Sequence, residues 1–353
     1  MRRSCNEKRV CIIGHFGNRQ NLLNGQTVKT KILADELVRC FGANEVQRID
    51  TSGRFRALLR APAMVFRAMR SSENVIILPA QNGVRVFAPL LALGRGLFPG
   101  CRIHYAVIGG WLPRLLTGRR RLSKALKRFD GIYVETNTMK RALEAQGFEN
   151  LYVMPNCKKL AVLSKEELVY PSGEPYRLCT FSRVMKEKGI EDAVRAVERV
   201  NAELGHTAFT LDIYGQVDAV QTAWFDGLQM SFPPCVRYGG LVPFDRSVEV
   251  LKDYFALLFP TLFPTEGIPG TIIDAYAAGV PVVASRWESF SDIMEEGVTG
   301  VGYELGSPCG LYDALLWVYK HQEEWQSMKK NCLREAEKYL PENAMRVIKE
   351  RLK

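Results

Sequence analysis

FPTEGIPGTIIDAYAAGVPVVAS, residues 263–285, sets a carboxylate, Glu266, on a Gly/Pro loop. Pro269-Gly270 then opens a helix, Asp274 follows one turn into it, and Gly279-Val280-Pro281 turns the chain into an apolar strand, Val282–Ser285. Loop, helix, tight turn and buried strand in that order are the parts of a doubly wound α/β sheet. The first amides of a helix have no partner within it, and the helix dipole favours negative charge there. A helix start beside a carboxylate is therefore a place to hold a phosphate-bearing sugar.

The same alternation runs outward in both directions. Arg9–Ile13, Asn74–Leu78, Ile103–Ile108, Gly131–Glu135 and Leu151–Met154 read as strands, with a helix at Val28–Cys40. After Met154-Pro155-Asn156 the pattern stops, and 157–176, ending in YPSGEPY, reads as a linker. It restarts with Leu178–Phe181, Ile190–Leu204, Phe209–Tyr214, Val236–Gly239 and Ala256–Phe259. The expected fold is α/β with two doubly wound Rossmann-like domains. They span 1–156 and 177–338, face each other across a cleft, and are followed by a helix at 339–353 that can cross back to the first domain. Ligands of such sheets bind beyond the carboxyl ends of the strands.

Composition narrows the class. At 353 residues the chain exceeds one ordinary core. Nine scattered cysteines without a CxxC pair argue against a disulfide framework, and four histidines show no metal-ligand spacing. There is no apolar run long enough to cross a bilayer and no signal-peptide pattern, so a cytoplasmic protein is expected. Charge is unevenly divided: residues 1–176 hold 29 Lys and Arg against 13 Asp and Glu, while 177–353 hold 19 against 25. A basic first half predicts a polyanionic partner.

Other strand ends carry chemistry. FSRVMKEKG (181–189) puts Arg183 and Lys188 on a loop that Gly189 closes; Arg can fork onto phosphate oxygens and Lys supplies a point charge. Read alone, it is equally a solvated basic turn. LDIYGQ ends a strand at Gly215, and RYGGLVP (237–243) does the same with two glycines, which turns also require. In NLLNGQTVKTK (21–31), Gly25 and Gln26 stand where a βα loop brings amides towards a diphosphate. The absence of GxGxxG counts against a nicotinamide or flavin enzyme.

Taken in order, FSRVMKEKG, YGQ, GGLVP and TEGIPGTIIDAYAAGVPVVAS resemble the retaining family 4 glycosyltransferases of GT-B fold (glycosyl transferases group 1). The likeness is most specific over 179–300 and looser over 1–150, where ETNTMKRALEAQGFENLYVMPN (135–156) resembles the end of the family's first domain. The resemblance implies that Arg183 and Lys188 hold the donor diphosphate and that Glu266 contacts the hydroxyls of the transferred sugar. It sets Asp274 where the family has a Glu on the ribose, one methylene shorter. The backbone of Gly267, Ile268, Pro269, Gly270 and Thr271 would line the donor, with Gly215 beside it. In RIHYAVIGGWLP (102–113), Ile108 stands where many members carry a histidine; Gly109 and Gly110 would line the sugar pocket, and His104 reads as a core residue.

The same resemblance implies a retaining, metal-independent hexosyl transfer from a UDP- or GDP-sugar to a glycan or lipid-linked acceptor. Bacterial surface polysaccharide assembly, capsule or O-antigen, is the setting it implies. No cofactor and no nucleic-acid partner are expected. A non-catalytic nucleotide-sugar-binding partner of a transferase, or a GT-B nucleotide-sugar epimerase, stays open as an alternative. On the acceptor side, RFRALLRAPAMVFRAMR (54–70) predicts a helical face of Leu58, Pro62, Val65, Phe66 and Met69. LPRLLTGRRRLSKALKRF (112–129) alternates leucines with seven basic residues. Both read as interfacial helices, with peripheral contact to the inner face of an anionic membrane, or as core-facing helices with a solvated basic rim.

Overall fold

The computed structural model describes residues 8–17, 25–51 and 59–353. Residues 21–24 of the first βα loop and 54–58 of the first basic stretch lie outside that range. The chain divides into two compact units, 1–159 with 340–353, and 160–339.

The first unit is a six-stranded parallel sheet in the order β2-β1-β3-β4-β5-β6. Its strands are β1 (Lys8–Gly14), β2 (Val46–Asp50), β3 (Ser72–Ile77), β4 (Arg102–Ala106), β5 (Gly131–Val134) and β6 (Leu151–Val153). Alternation along β1 builds two cores: Cys11 and Ile13 pack on one face, Val10 and Ile12 on the other. Helices α1 (Gly25–Phe41), α2 (Ala61–Ser71), α3 (Gln81–Gly94), α4 (Leu112–Leu116), α5 (Arg120–Leu126) and α6 (Asn137–Glu144) cover it. Short helices at Pro341–Ala344 and Arg346–Arg351 add Ala344, Met345, Ile348 and Leu352 to the core containing Val10 and Ile12. The end of the chain thus completes the unit that its beginning starts.

The second unit runs β12-β11-β10-β7-β8-β9, again all parallel. Here β7 is Tyr176–Phe181, β8 Phe209–Tyr214, β9 Val236–Gly240, β10 Ala256–Phe259, β11 Val282–Arg286 and β12 Gly300–Glu304. Four helices matter for the site: α7 (Ile190–Leu204), α8 (Thr222–Met230), α9 (Ser247–Leu251) and α10 (Gly270–Ala277). The strand order is that of a dinucleotide-type sheet, and it reverses between β7 and β10.

Burial separates the alternatives left open for the basic stretches. In 112–129 the leucines are not presented to a membrane: Leu112, Leu115, Leu116, Leu122 and Leu126 are buried in the first unit's core, leaving the basic side chains on the outside. In 54–70 the inward face is Ala61, Val65, Ala68 and Met69, while Phe66 is half exposed. The stretch 157–176 is also more than a tether. Leu163 donates its amide to the Ala277 carbonyl at 3.0 Å, and Leu168 lies against Gly279, so this segment packs on the end of α10.

His104 is a core residue, 1% exposed, between the Asn74 Oδ1 (3.3 Å) and the Tyr133 hydroxyl (3.2 Å). Burial holds its pKa down at about 4. Between that value and the ordinary 6.5 the unfolded chain binds more protons than the folded one, so stability falls as pH falls. Wild type should lose stability relative to His104→Leu as pH drops from 6.5 towards 4, by up to roughly 3 kcal/mol. Denaturant melts of both proteins across that range check this; parallel curves would remove the assignment.

Candidate functional site

The loops that leave β7, β8 and β10 converge because two glycines let backbone touch backbone. Gly189 has φ +67°, and a Cβ there would stand 1.9 Å from the Pro260 carbonyl oxygen. Gly215 has φ +139°, and its Cβ would stand 1.7 Å from the Ser182 carbonyl oxygen. Any other residue would push the loops apart. Hydrogen bonds then pin them: Val184 donates its amide to the Gln216 carbonyl at 2.9 Å, and Leu262 donates its own to the Glu187 carbonyl at 2.8 Å. This is the point where strand order reverses, the place at which open α/β sheets take their ligands.

Lys188 and Glu266, 78 residues apart, form an ion pair here, with 17% and 19% of their side chains exposed. Thr261 donates its hydroxyl to the same Glu266 oxygen at 3.2 Å. The Lys188 ammonium also sits over the Phe263 and Phe259 rings, 5.1 and 5.5 Å from their centroids. An ammonium has three donors, so a second anion can be met without losing Glu266.

Beside the pair, α10 begins at Pro269 with no side-chain cap, and the Thr271 hydroxyl is buried with no hydrogen-bond partner among the described residues. An uncapped helix start with an unsatisfied hydroxyl suits an oxyanion. Gly267, Ile268 and Pro269 are buried along the approach, and Gly270 forms the first turn. Arg183 stands on the neighbouring loop, 56% exposed and 3.5 Å from Asp218. Asp274 lies deeper: it is 2% exposed, and Ser247 at the start of α9 donates its hydroxyl to it at 3.0 Å. Sequence reading missed Thr261 and Ser247. Neither has a local signal, since each is defined by a partner brought in by the fold.

The candidates of the first unit lie at the carboxyl ends of its own strands. Gln26 donates its side-chain amide to the Leu78 carbonyl (3.1 Å), bridging the ends of the β1 and β3 region, and Gly25 begins α1 beside it. Gly109, at φ +78°, and Gly110 follow β4, where the Trp111 indole donates to the Ile108 carbonyl at 2.7 Å. Underneath, Lys29 and Glu135 form a buried ion pair at 2.5 Å, and Lys29 also donates to the Val107 carbonyl at 3.1 Å. His15, half-buried at the end of β1, is 2.9 Å from the Thr27 hydroxyl. Among the described residues no cluster of three or more His, Cys, Asp or Glu could hold a metal ion.

Gly189→Ala should destabilise the second unit by about 2 kcal/mol or more, since strain at φ +67° adds to the clash with Pro260. Gly173→Ala, with nothing near its Cβ, is the control. Thermal melts read the effect, and equal behaviour of the two variants would contradict the backbone argument.

Residues 175–321 match the model of a family described as glycosyl transferases group 1. Over 132 residues the chain is 29% identical to the amylovoran biosynthesis glycosyltransferase AmsK of Erwinia amylovora, covering 36% of this chain and 32% of that one. It is 25% identical over 132 residues to the putative colanic acid biosynthesis glycosyltransferase WcaL of Salmonella typhimurium, with the same shares covered. The chain spans about a third of the length of these curated relatives. In fold it is similar to the crystal structure of Anabaena HepE in complex with UDP, at a TM-score of 0.74 and 13% identity, covering 97% of this chain and 99% of that one. That likeness speaks for the fold, which is GT-B, two Rossmann-like units. The family match falls within the second unit, the one that carries the converging loops.

Proposed function

We propose that the protein is a retaining glycosyltransferase. It moves a sugar from a UDP- or GDP-linked donor to a glycan or lipid-linked acceptor in bacterial surface polysaccharide synthesis. The observation that carries this reading is the meeting of Lys188 and Glu266 beside the uncapped start of α10, with the Thr271 hydroxyl unpartnered among the described residues. The named roles of the relatives in amylovoran and colanic acid biosynthesis, and the UDP bound to HepE, support the substrate class.

In this reading the diphosphate lies against the amides of Gly270 and Thr271, with Lys188 and Arg183 on its oxygens. Glu266 accepts hydrogen bonds from hydroxyls of the sugar. The bond from the anomeric carbon to the diphosphate breaks first, and its electron pair stays on the leaving oxygen. Cations, amides and the helix dipole stabilise that charge in the role a metal ion would otherwise have. The acceptor oxygen attacks the same face of the sugar and passes its proton to the leaving phosphate oxygen, so configuration is retained. Asp274 receives the ribose hydroxyls with Ser247 beside it. The first unit takes the acceptor.

Thermal shift against UDP, GDP and ADP, free and as sugar nucleotides, should show stabilisation by UDP or GDP that grows with ligand concentration. No shift with any of them overturns the reading. Glu266→Ala should keep the nucleotide shift but lose turnover by about 100-fold or more, whereas Lys188→Ala should lose both. Turnover should also persist in excess EDTA. A Glu266→Ala protein with wild-type turnover would leave a nucleotide-binding partner as the better account.

A further inference from the structure

The donor site uses none of the arginines of the first unit. Between Thr51 and Phe129 the sequence has one acidic residue, Glu73, against fifteen Lys and Arg. In most of this region the apolar side chains face the core. Along one edge, formed by α2 and α3, they do not.

Helices α2 and α3 pack side by side, close enough that a Cβ on Gly94 would meet the Met69 sulfur at 2.6 Å. On the outside, Phe66 and Phe98 meet edge to face at 5.3 Å. On these two helices and the residues flanking them, Leu59 is 68% exposed, Phe66 50%, Leu93 72% and Leu97 73%. Phe66 is on α2 and Leu93 on α3, while Leu59 lies two residues before α2 and Leu97 three residues after α3. Four large apolar side chains on one edge exceed the scattered singles of an ordinary surface. Arg60, just before α2, and Arg67 and Arg70 on it are exposed, and none of the three forms a salt bridge among the described residues. Arg95, by contrast, is engaged by Asp130 at 2.8 Å and is not available.

Apolar side chains set among exposed arginines, with no carboxylate on the same elements, are the complement of a lipid surface whose phosphates are anionic. A protein partner would have to match the arginines with acids and the leucines with a groove; a bilayer supplies both along its whole surface. We propose that the α2–α3 edge docks on anionic membrane. Leu59, Phe66, Leu93 and Leu97 enter the headgroup–acyl boundary, and Arg60, Arg67 and Arg70 hold lipid phosphates. The second basic stretch, on α4 and α5, takes no part in insertion because its leucines are in the core. The inference stands apart from the donor-site reading and needs no nucleotide for its test.

The test is co-flotation of the full chain with vesicles of phosphatidylcholine alone and of phosphatidylcholine with one third phosphatidylglycerol. Wild type should float with the anionic vesicles and stay behind with the neutral ones. Leu93→Ser/Leu97→Ser and Arg67→Glu/Arg70→Glu should each reduce recovery by about tenfold or more. Both pairs are exposed, so the melting temperature should hold, and a matched melt verifies this. Arg120→Glu/Arg121→Glu, on α5, should bind within about twofold of wild type, as those residues flank no exposed apolar group. Wild type that floats with neither vesicle overturns the proposal. So does undiminished flotation of the leucine variant, above all if a short RNA duplex competes for the arginines, because bare attraction to any polyanion would then suffice.

Discussion

Two backbone contacts hold the loops of the second unit together: Gly189 against the carbonyl of Pro260, and Gly215 against that of Ser182. Parallel strands place their carboxyl ends on one edge of the sheet, but strand spacing alone leaves the loops beyond them apart. Removing a Cβ at each point lets one loop rest directly on the next. Lys188 then comes within contact of Glu266 across 78 residues of sequence. Helix α10 is held from its other end as well, where the buried Lys329 ammonium donates to the Gly279 carbonyl at 3.0 Å and Leu168 packs on the same turn. A helix start can serve an anion only if the helix cannot slide away from it.

The first unit solves the same problem with side chains. Its strand order reverses between β1 and β3, and Gln26 spans the gap to the Leu78 carbonyl. Beneath the Gly109 turn it uses the Lys29–Glu135 pair, 2% and 3% exposed. Burying two charges costs several kcal/mol per ion before their attraction offsets it, and such a pair stabilises little on balance. What it does provide is a fixed position for the Val107 carbonyl, from which the turn to Gly109 and Gly110 departs. Trp111 locks the next carbonyl, Ile108. Two consecutive carbonyls held by side chains leave the glycine turn one conformation.

Much of this was legible in the sequence, for physical reasons. Central strands are covered on both faces and read as apolar runs, so Phe209–Tyr214 and Ala256–Phe259 could be bounded to the residue. The strands that escaped, Val46–Asp50 and Gly300–Glu304, are the outermost of their sheets. VQRID is half polar because one side of it meets water, and GVGYE carries two glycines. Lys188 and Glu266 were visible because each sits at a strand end in a recognisable loop. Thr261 and Ser247 were not, because a serine that binds an aspartate 27 residues away leaves no periodic trace.

The amphipathic stretches mark where periodicity stops being informative. In 54–70 and 112–129 the pattern of leucines and arginines is the same, and two outcomes are physically equivalent on that pattern: leucines against a core or leucines against a bilayer. Topology separates them. Helices α4 and α5 lie against the sheet, so their leucines join Ile103 and Ile132 in one core. Helix α2 spends Ala61, Val65, Ala68 and Met69 on the sheet, small or slender side chains that let it sit close. That close approach leaves Phe66 on the outer side, against Phe98 beyond the end of α3. The exposed apolar edge is thus a by-product of how little width α2 needs inside. A helix that buried Phe66 would have to turn Arg67 and Arg70 with it, and the charge rather than the ring would then face the core.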